Sequence, residues 1–196
     1  VSKSPATKTI AMAAIMQAIM TRAKARHHRT LVEVDEGHEY LGNDDASEKF
    51  LASCYRKMRK YDVAMWMISQ RFSDFAACRA GPAIIGNSPV KIFLKHASGH
   101  DEVSSFFKMT DRATKAFRRL EMRPGHYSDF LLMLGSKTAA VRLALHPFAY
   151  WLLTTSPDDR ALLAKSKELN PTWDPVALLQ ELARRFPNGA PREKRS

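Results

Sequence analysis

The sequence predicts an α/β fold in which parallel strands with helices on both faces are followed by a β-hairpin-containing segment and C-terminal helices. Three observations support this prediction. Apolar helical patterns alternate with short β-type runs in the first half, two β-type runs flank the tetrapeptide GSKT in the second, and two Pro-initiated helical patterns follow. A length of 196 residues with 45% apolar composition suits one folded domain with a real core.

The first half alternates helix and strand. Apolar residues from Met12 to Ala23 recur at helical spacing, which predicts a helix over roughly residues 6–26. The elements that follow are a strand at Thr30–Asp35, a helix opened by Asp45 and Glu48 in the manner of a capping box, an apolar strand at Val63–Ser69, a helical piece to about Ile85, and a strand at Val90–Lys95. Such alternation predicts one parallel sheet that contains all three strands.

The second half has a different order of elements. Residues 100–121 are predicted to form two short helices, HYSDFLLML and AAVRLALH a hairpin around GSKT, and FAYWLLTT a further β-rich run. Ser156-Pro157 and Asp174-Pro175 are predicted to start the two closing helices. We expect residues 1–186 to form the domain, residues 187–196 to be a disordered basic tail, and the three tryptophans to be core residues.

Composition narrows the classes of partner. The net charge of +11 fits an acidic partner such as nucleic acid, nucleotide or a membrane surface, and fits a basic solvated surface equally well. Cys54 and Cys78 lack CxxC spacing, which predicts reduced, buried thiols in a cytosolic compartment. No segment reaches the roughly 18 apolar residues of a membrane span.

Two carboxylates, Asp35 and Glu36, directly follow the first strand. In nucleotide hydrolases a buried strand delivers an Asp to the magnesium shell, and a neighbouring Glu activates the attacking water. Strands also end in carboxylates for structural reasons, and Glu33 interrupts the apolar pattern here. Gln70 ends the next strand, at the edge where open α/β sheets bind ligands. Its carboxamide suits a water-orienting or phosphate-sensing role, and a surface-capping role remains the alternative.

The intervening helix carries a basic motif, YRKMRK. Arg56 and Arg59 are three residues apart and are therefore expected on one face. Arginine stabilises charge on a transferring phosphoryl group, often from a neighbouring subunit. A solvated basic face is the structural alternative.

The ordered conjunction of VEVDEGHEYL, FLASCYRKMRKYDVAMWMISQRFSDF and AIIGNSPVKIFLKH resembles the C-terminal motor half of conjugative and type IV secretion ATPases, the TraC-like pilus-assembly group. FLLMLGSKTAAVRLALHPFAYWLLTTSPDD extends the resemblance to about residue 185. The resemblance implies a partial RecA-like P-loop ATPase core that uses ATP and Mg²⁺ and assembles as a homo-oligomeric ring, expected to be a hexamer. It also implies a cytoplasmic protein that associates peripherally with the bacterial inner membrane, where type IV secretion and pilus-assembly components are its partners.

The same resemblance assigns roles to residues. It implies that Asp35 holds magnesium as the Walker B aspartate, that Glu36 is the catalytic base, and that Gln70 is the sensor. Arg56 or Arg59 falls where a trans-acting arginine finger is expected. The family commonly carries a tryptophan near the acidic pair, where this chain has Gly37-His38.

One family motif is missing from the sequence. GxxxxGK[ST], the phosphate loop, does not occur, and GSKT is predicted to be a hairpin turn because it joins two strands. In the family this loop lies upstream of the Asp-Glu strand, and the chain, which begins with Val, looks excised from a longer protein. We therefore predict that the 196 residues alone hydrolyse no ATP. His96, His100, Asp101 and Glu102 are predicted to be loop residues and not a metal cluster.

Two further hypotheses stay open. A DNA-translocating motor of the HerA–FtsK kind is favoured by the positive charge, which makes DNA a candidate partner. A non-catalytic assembly module that has lost the nucleotide site is the other. A sheet without its phosphate-loop strand is expected to expose an edge, which favours dimerisation or aggregation.

Overall fold

A computed structural model describes residues 5–25, 29–37 and 45–191. The chain divides into two compact units, Val1–Lys91 and Ile92–Ser196. The predicted mixed α/β class is confirmed, with a parallel sheet, an antiparallel sheet and C-terminal helices. None of the described helices combines the length and the apolarity needed to cross a bilayer.

The first unit alternates helices and strands, as predicted. Its elements are α1 (Pro5–Ala25), β1 (Thr30–Val34), α2 (Asp45–Lys57), a 3₁₀ turn (Met58–Tyr61), β2 (Val63–Met67), α3 (Ser73–Ala76) and α4 (Gly81–Gly86). β1 and β2 pair in parallel, with Thr30 opposite Val63 and Val34 opposite Met67. The α2 helix covers one face of this pair, and its Leu51 and Cys54 are completely buried.

The other face of the β1–β2 sheet is uncovered among the described residues. Leu31 on β1 and Trp66 on β2 are each 53% exposed, and Ile68 just beyond β2 is 43% exposed. Parallel strands are ordinarily covered on both faces. Trp66 was predicted to be a core residue, and that prediction is wrong because nothing described in the first unit covers this face.

The third predicted strand leaves the parallel sheet. β3 (Val90–Leu94) contains the sequence boundary between the two units and is hydrogen-bonded to β5 (Tyr127–Leu134) in the second sheet. The prediction of one sheet that contains all three strands of the first half is therefore wrong. Among the described strands, β1 is the one neighbour of β2, so the other edge of β2 is open.

The second unit combines a sheet with five helices among the described residues. Its further elements are α5 (His100–Phe106), α6 (Asp111–Arg118), β4 (Met122–Arg123), β6 (Lys137–Leu143), α7 (Pro147–Leu153), α8 (Pro157–Leu169) and α9 (Pro175–Arg185). The antiparallel β5–β6 hairpin turns at Gly135-Ser136 and confirms the interpretation of GSKT. Asp129 and Arg142 face each other across it in a bidentate ion pair, which holds the pKa of Asp129 below its usual value.

The segment FAYWLLTT is helical, so the predicted β-rich run is wrong. Pro147 occupies the first turn of α7, and the His146 ring accepts a hydrogen bond from the Phe148 N–H at the helix start. Trp151 is buried in this helix as predicted, whereas Trp173 is 45% exposed and is not a core residue.

Asp159 is the most buried charged residue among those described, with 1% of its surface exposed. Its Oδ2 accepts hydrogen bonds from Tyr150 Oη and Thr154 Oγ1, both at 2.6 Å, and its Oδ1 accepts from Ala190 N at 2.7 Å. The carboxylate therefore ties α7, α8 and the segment after α9 together. The contact with Ala190 differs from the expectation of a disordered tail from residue 187; residues 192–196 lie outside the described residues.

Candidate functional site

The parallel register brings the carboxyl ends of β1 and β2 side by side. Ile68 N donates to Val34 O at 2.9 Å, and Gly37 N donates to Ile68 O at 2.7 Å. The pairing thus continues past both strands, to the points where Asp35-Glu36 and Gln70 follow. Because the carboxyl ends of parallel strands share one edge, side chains 34 residues apart in sequence meet here.

The central contact of the site joins Gln70 and Glu36. The Gln70 Nε2 amide donates to Glu36 Oε1 at 2.8 Å, and Asp35 Oδ1 accepts a hydrogen bond from the Glu36 backbone N–H at 2.8 Å. All three residues are exposed. The structure therefore brings together the three residues that the sequence singled out, with the amide of Gln70 orienting the Glu36 carboxylate.

The backbone at the acidic pair is unusual. Glu36 has a φ of 51°, in the left-handed region that residues other than glycine rarely adopt. This turn places the buried Gly37 directly against β2, where an added Cβ would lie 2.4 Å from Met67 Sδ and 3.1 Å from Ile68 O. A side chain here requires the flexible Met67 side chain to move and the Ile68 oxygen to give way by a few tenths of an ångström. His38, the other residue of the Gly37-His38 departure from the family, lies outside the described residues.

Ser69 and Asp74 secure the chain on either side of Gln70. Ser69 Oγ donates to Asp74 Oδ2 at 2.5 Å, and Arg71 Nε lies 3.6 Å from Asp74 Oδ1. This contact is not among the sequence predictions. The feature that could have indicated it is a serine directly before Gln70 followed by a carboxylate in the first turn of the next helix, α3.

Glu48, which the sequence places with Asp45 at the start of α2, also makes a contact that the sequence does not indicate. It is buried, at 6% exposure, and its Oε2 accepts a hydrogen bond from Ala80 N at 3.1 Å, so it fastens α2 to the start of α4. Asp45, at the start of α2, pairs with Lys49 and Arg79, and these hydrogen bonds lower its pKa. The buried Glu48 carboxylate is therefore structural, whereas Asp35 and Glu36 are exposed at the end of the sheet.

Arg56 and Arg59 are both exposed, Arg56 in the last turn of α2 and Arg59 in the 3₁₀ turn. Among the described contacts, neither bonds to Asp35, Glu36 or Gln70. The structure thus does not bring the arginines into the site. An exposed position is compatible with action on a neighbouring subunit and with a solvated basic face.

The donor set of the site is oxygen-rich. Mg²⁺ is usually bound through one or two carboxylates together with substrate phosphates, and it keeps several waters. Asp35 and Glu36 supply two carboxylates, so these residues fit Mg²⁺ carried by a nucleotide. Among the described residues no group of three or more histidine, cysteine or acidic side chains could hold a metal by itself. Cys54 and Cys78 are free and buried, and burial raises the pKa of Cys54 to about 11.

Two cavities among the described residues are lined by the second unit. One, of about 450 Å³, lies along α9 between Trp173 and Arg184. The other, of about 400 Å³, lies between the loop at Phe107–Thr110 and the hairpin turn at Gly135. Neither contains a residue of the Glu36–Gln70 site.

Comparisons with known proteins give the fold. The chain matches no protein-family model and no curated protein sequence. It matches nine chains of solved structures. One of them, the structure of VirB4 of Thermoanaerobacter pseudethanolicus, aligns with a TM-score of 0.61 and 18% identity over 75% of this chain. The chain covers 39% of the length of that VirB4 chain.

Proposed function

We propose that this chain supplies the carboxylate and amide half of the ATP-hydrolysis site of a type IV secretion ATPase. The observation that carries the proposal is the hydrogen bond of 2.8 Å between Gln70 and Glu36, with Asp35 adjacent, at the carboxyl edge of a parallel sheet. The fold likeness to VirB4 and the motif resemblance to conjugative ATPases support the same proposal.

Each residue has a role that its position supports. Glu36 takes a proton from the attacking water at a carboxylate oxygen, and Gln70 holds that carboxylate in place through its amide. Asp35 would hold Mg²⁺, which when bound to ATP neutralises charge on the phosphates. Arg56 or Arg59 reaches the phosphates of a neighbouring subunit in a ring, with a hexamer as the expected assembly.

A phosphate loop, which this sequence does not contain, could lie beside β2 at the carboxyl edge of the sheet. Among the described strands one edge of β2 is unpaired, and a further parallel strand would pair there. The loop after that strand would lie at the same carboxyl edge as Gln70. The uncovered face around Leu31 and Trp66 would be covered by the helix that follows such a loop. We propose that an upstream segment of the parent protein provides both, and that the parent acts at the cytoplasmic side of the inner membrane in conjugation or pilus assembly.

The test is ATP turnover by the full-length product of the gene that encodes these residues. Glu36→Gln is expected to reduce turnover by about 10²- to 10⁴-fold and to leave ATP binding intact, because a general base acts on the chemical step. Glu33→Gln makes the same chemical change three residues earlier on the exposed side of β1 and is the matched control, with unchanged turnover.

Two results would contradict the proposal. One is equal turnover in Glu36→Gln and Glu33→Gln. The other is a gene with no phosphate-loop codons upstream of Val1, which would favour the non-catalytic assembly module. The purified 196 residues are expected to show no Mg²⁺-dependent turnover.

In the full-length protein, Arg56→Ala and Arg59→Ala identify the arginine finger when compared with Lys57→Ala and Lys60→Ala. Loss of a finger reduces turnover by about 10³-fold or more.

A further inference from the structure

The α6 helix in the second unit has one strongly basic face. Arg112, Lys115 and Arg119, the residue that caps the helix, are spaced by three and four residues and are all exposed. This spacing places them on the same side of the helix. The opposite side is buried in the unit, with Ala113 at 3% and Phe117 at 0% exposure. We call Arg112, Lys115 and Arg119 the basic stripe.

The cations of the basic stripe are not neutralised by the chain around them. A fourth cation of the helix, Arg118, is bonded to Asp101, whereas the described contacts give the three stripe residues no ion pair. The N-terminus of the helix is already capped by Thr110, whose hydroxyl accepts from Ala113 N. Between residues 108 and 119 the sequence has five cations and one carboxylate, Asp111. The face therefore presents concentrated positive charge to a ligand.

The arrangement fits a repeating anion better than a single one. At about 1.5 Å rise per residue, the stripe residues follow one another at roughly 4.5 and 6 Å along the helix axis, within reach of successive phosphates for side chains as long as Arg and Lys. We propose that the basic stripe, with the exposed Lys108 before it, binds the phosphate backbone of nucleic acid without regard to sequence. This inference goes beyond the proposed ATPase role and does not depend on it.

A membrane surface is the competing anionic partner, and the helix argues against it. Helices that bind lipid surfaces insert an apolar face into the bilayer beside their cations. In α6 that apolar face is already buried within the protein through Ala113 and Phe117. Phosphate contacts alone carry no sequence information, which is why the binding is expected to be sequence-independent.

The experiment measures binding of fluorescent duplex and single-stranded DNA to the full chain by anisotropy over a series of salt concentrations. In Arg112→Ala/Lys115→Ala/Arg119→Ala, the slope of log affinity against log salt for duplex DNA is expected to fall by roughly 2–3, since each lost phosphate contact removes about 0.9. Affinity at low salt is expected to fall by about tenfold or more. Phosphatidylglycerol vesicles are the parallel probe for a lipid surface.

The matched control is Arg160→Ala/Lys165→Ala/Lys167→Ala, which removes the same charge from exposed positions on α8. It is expected to retain affinity and slope close to those of the unsubstituted chain. Three results would overturn the proposal: no DNA binding by the unsubstituted chain at low salt, equal losses in the two triple variants, or a stripe variant that loses vesicle binding but keeps DNA binding. Circular dichroism establishes that both variants are folded, and ATP turnover of the full-length protein is expected to be unaffected.

Discussion

The two units of the molecule use their polar side chains in opposite ways. In the first unit, Glu36 and Gln70 meet in the open at the end of a sheet. In the second, Asp159 is buried and accepts hydrogen bonds from two groups of α7 and its C-cap and from one group after α9. The second arrangement is more elaborate, yet its acceptor oxygens are used for contacts within the fold.

Exposure separates the polar groups of a candidate site from those that only hold the fold together. Burial and hydrogen bonding to several segments are what a structural carboxylate needs, because an unsatisfied buried charge is costly. A catalytic carboxylate must remain reachable. Glu48, buried in the first unit, has the structural arrangement, and Glu36 has the open one. Substitutions in each unit test the contrast between them.

Asp159→Ala is expected to have the largest effect on stability. It leaves Tyr150 Oη, Thr154 Oγ1 and Ala190 N without their acceptor inside the second unit, which should cost about 3 kcal/mol or more. The measurement is urea unfolding followed by fluorescence in a Trp66→Phe/Trp173→Phe background, where Trp151 is the remaining tryptophan.

The neighbouring Asp158→Ala is the control for this prediction. Asp158 is exposed in the first turn of α8, so its removal should cost no more than about 1 kcal/mol through the helix dipole. Equal destabilisation by the two substitutions would show that Asp159 is not a structural hub and would remove the contrast between the units.

Gly37→Ala is expected to have an intermediate effect, confined to the first unit. The new Cβ would meet Met67 Sδ at 2.4 Å, and relief through the flexible Met67 is limited by the backbone oxygen of Ile68 at 3.1 Å. We expect a cost of about 1–2 kcal/mol, seen as roughly tenfold or faster hydrogen exchange of the β1 and β2 amides.

Gly86→Ala separates crowding from the general effect of replacing a glycine. Gly86 ends α4, and an added Cβ there has nothing within 4 Å. In Gly86→Ala, hydrogen exchange of the β1 and β2 amides should remain within about twofold of the parent rates or become slightly slower. Unchanged exchange in Gly37→Ala would mean that the strand ends can separate at no cost, and that the Glu36–Gln70 contact is not held by this packing.

The sequence predicted the site geometry better than it predicted the surroundings of the site. Parallel strands place their carboxyl ends at one edge, so two runs ending in Asp35-Glu36 and Gln70 were enough to bring these residues together. Their catalytic roles remain a prediction. Whether both faces of a strand are covered was less predictable. Trp66 lies in a continuous apolar run, which suggests burial, yet no described residue of the first unit covers its face of β2.

Other errors have local physical causes. FAYWLLTT is rich in aromatic residues, which favour strands, but Pro147 at its start sets the backbone for a helix and outweighs that preference. Asp159 follows Asp158 in the first turn of a helix, where carboxylates are common, so its burial arises only from the packing of α7 and the segment after α9.

The smallest expected effect concerns His96 in the second unit. Partial burial, with a smaller contribution from the nearby His100, lowers the pKa of His96, and both rings pack edge-on against the buried Phe117. As pH falls below about 6.5, the unfolded chain binds a proton at this residue more readily than the folded chain does. Stability contributed by neutral His96 is therefore present above that pH and is lost below it, by less than about 1 kcal/mol after solvent screening.

His96→Gln should reduce the loss of unfolding free energy between about pH 7.5 and 5.5, whatever its effect on stability at the higher pH. His126→Gln makes the same chemical change at an exposed histidine in the turn before β5 and is the matched control. If both variants keep the parent's pH dependence, protonation of His96 does not oppose folding.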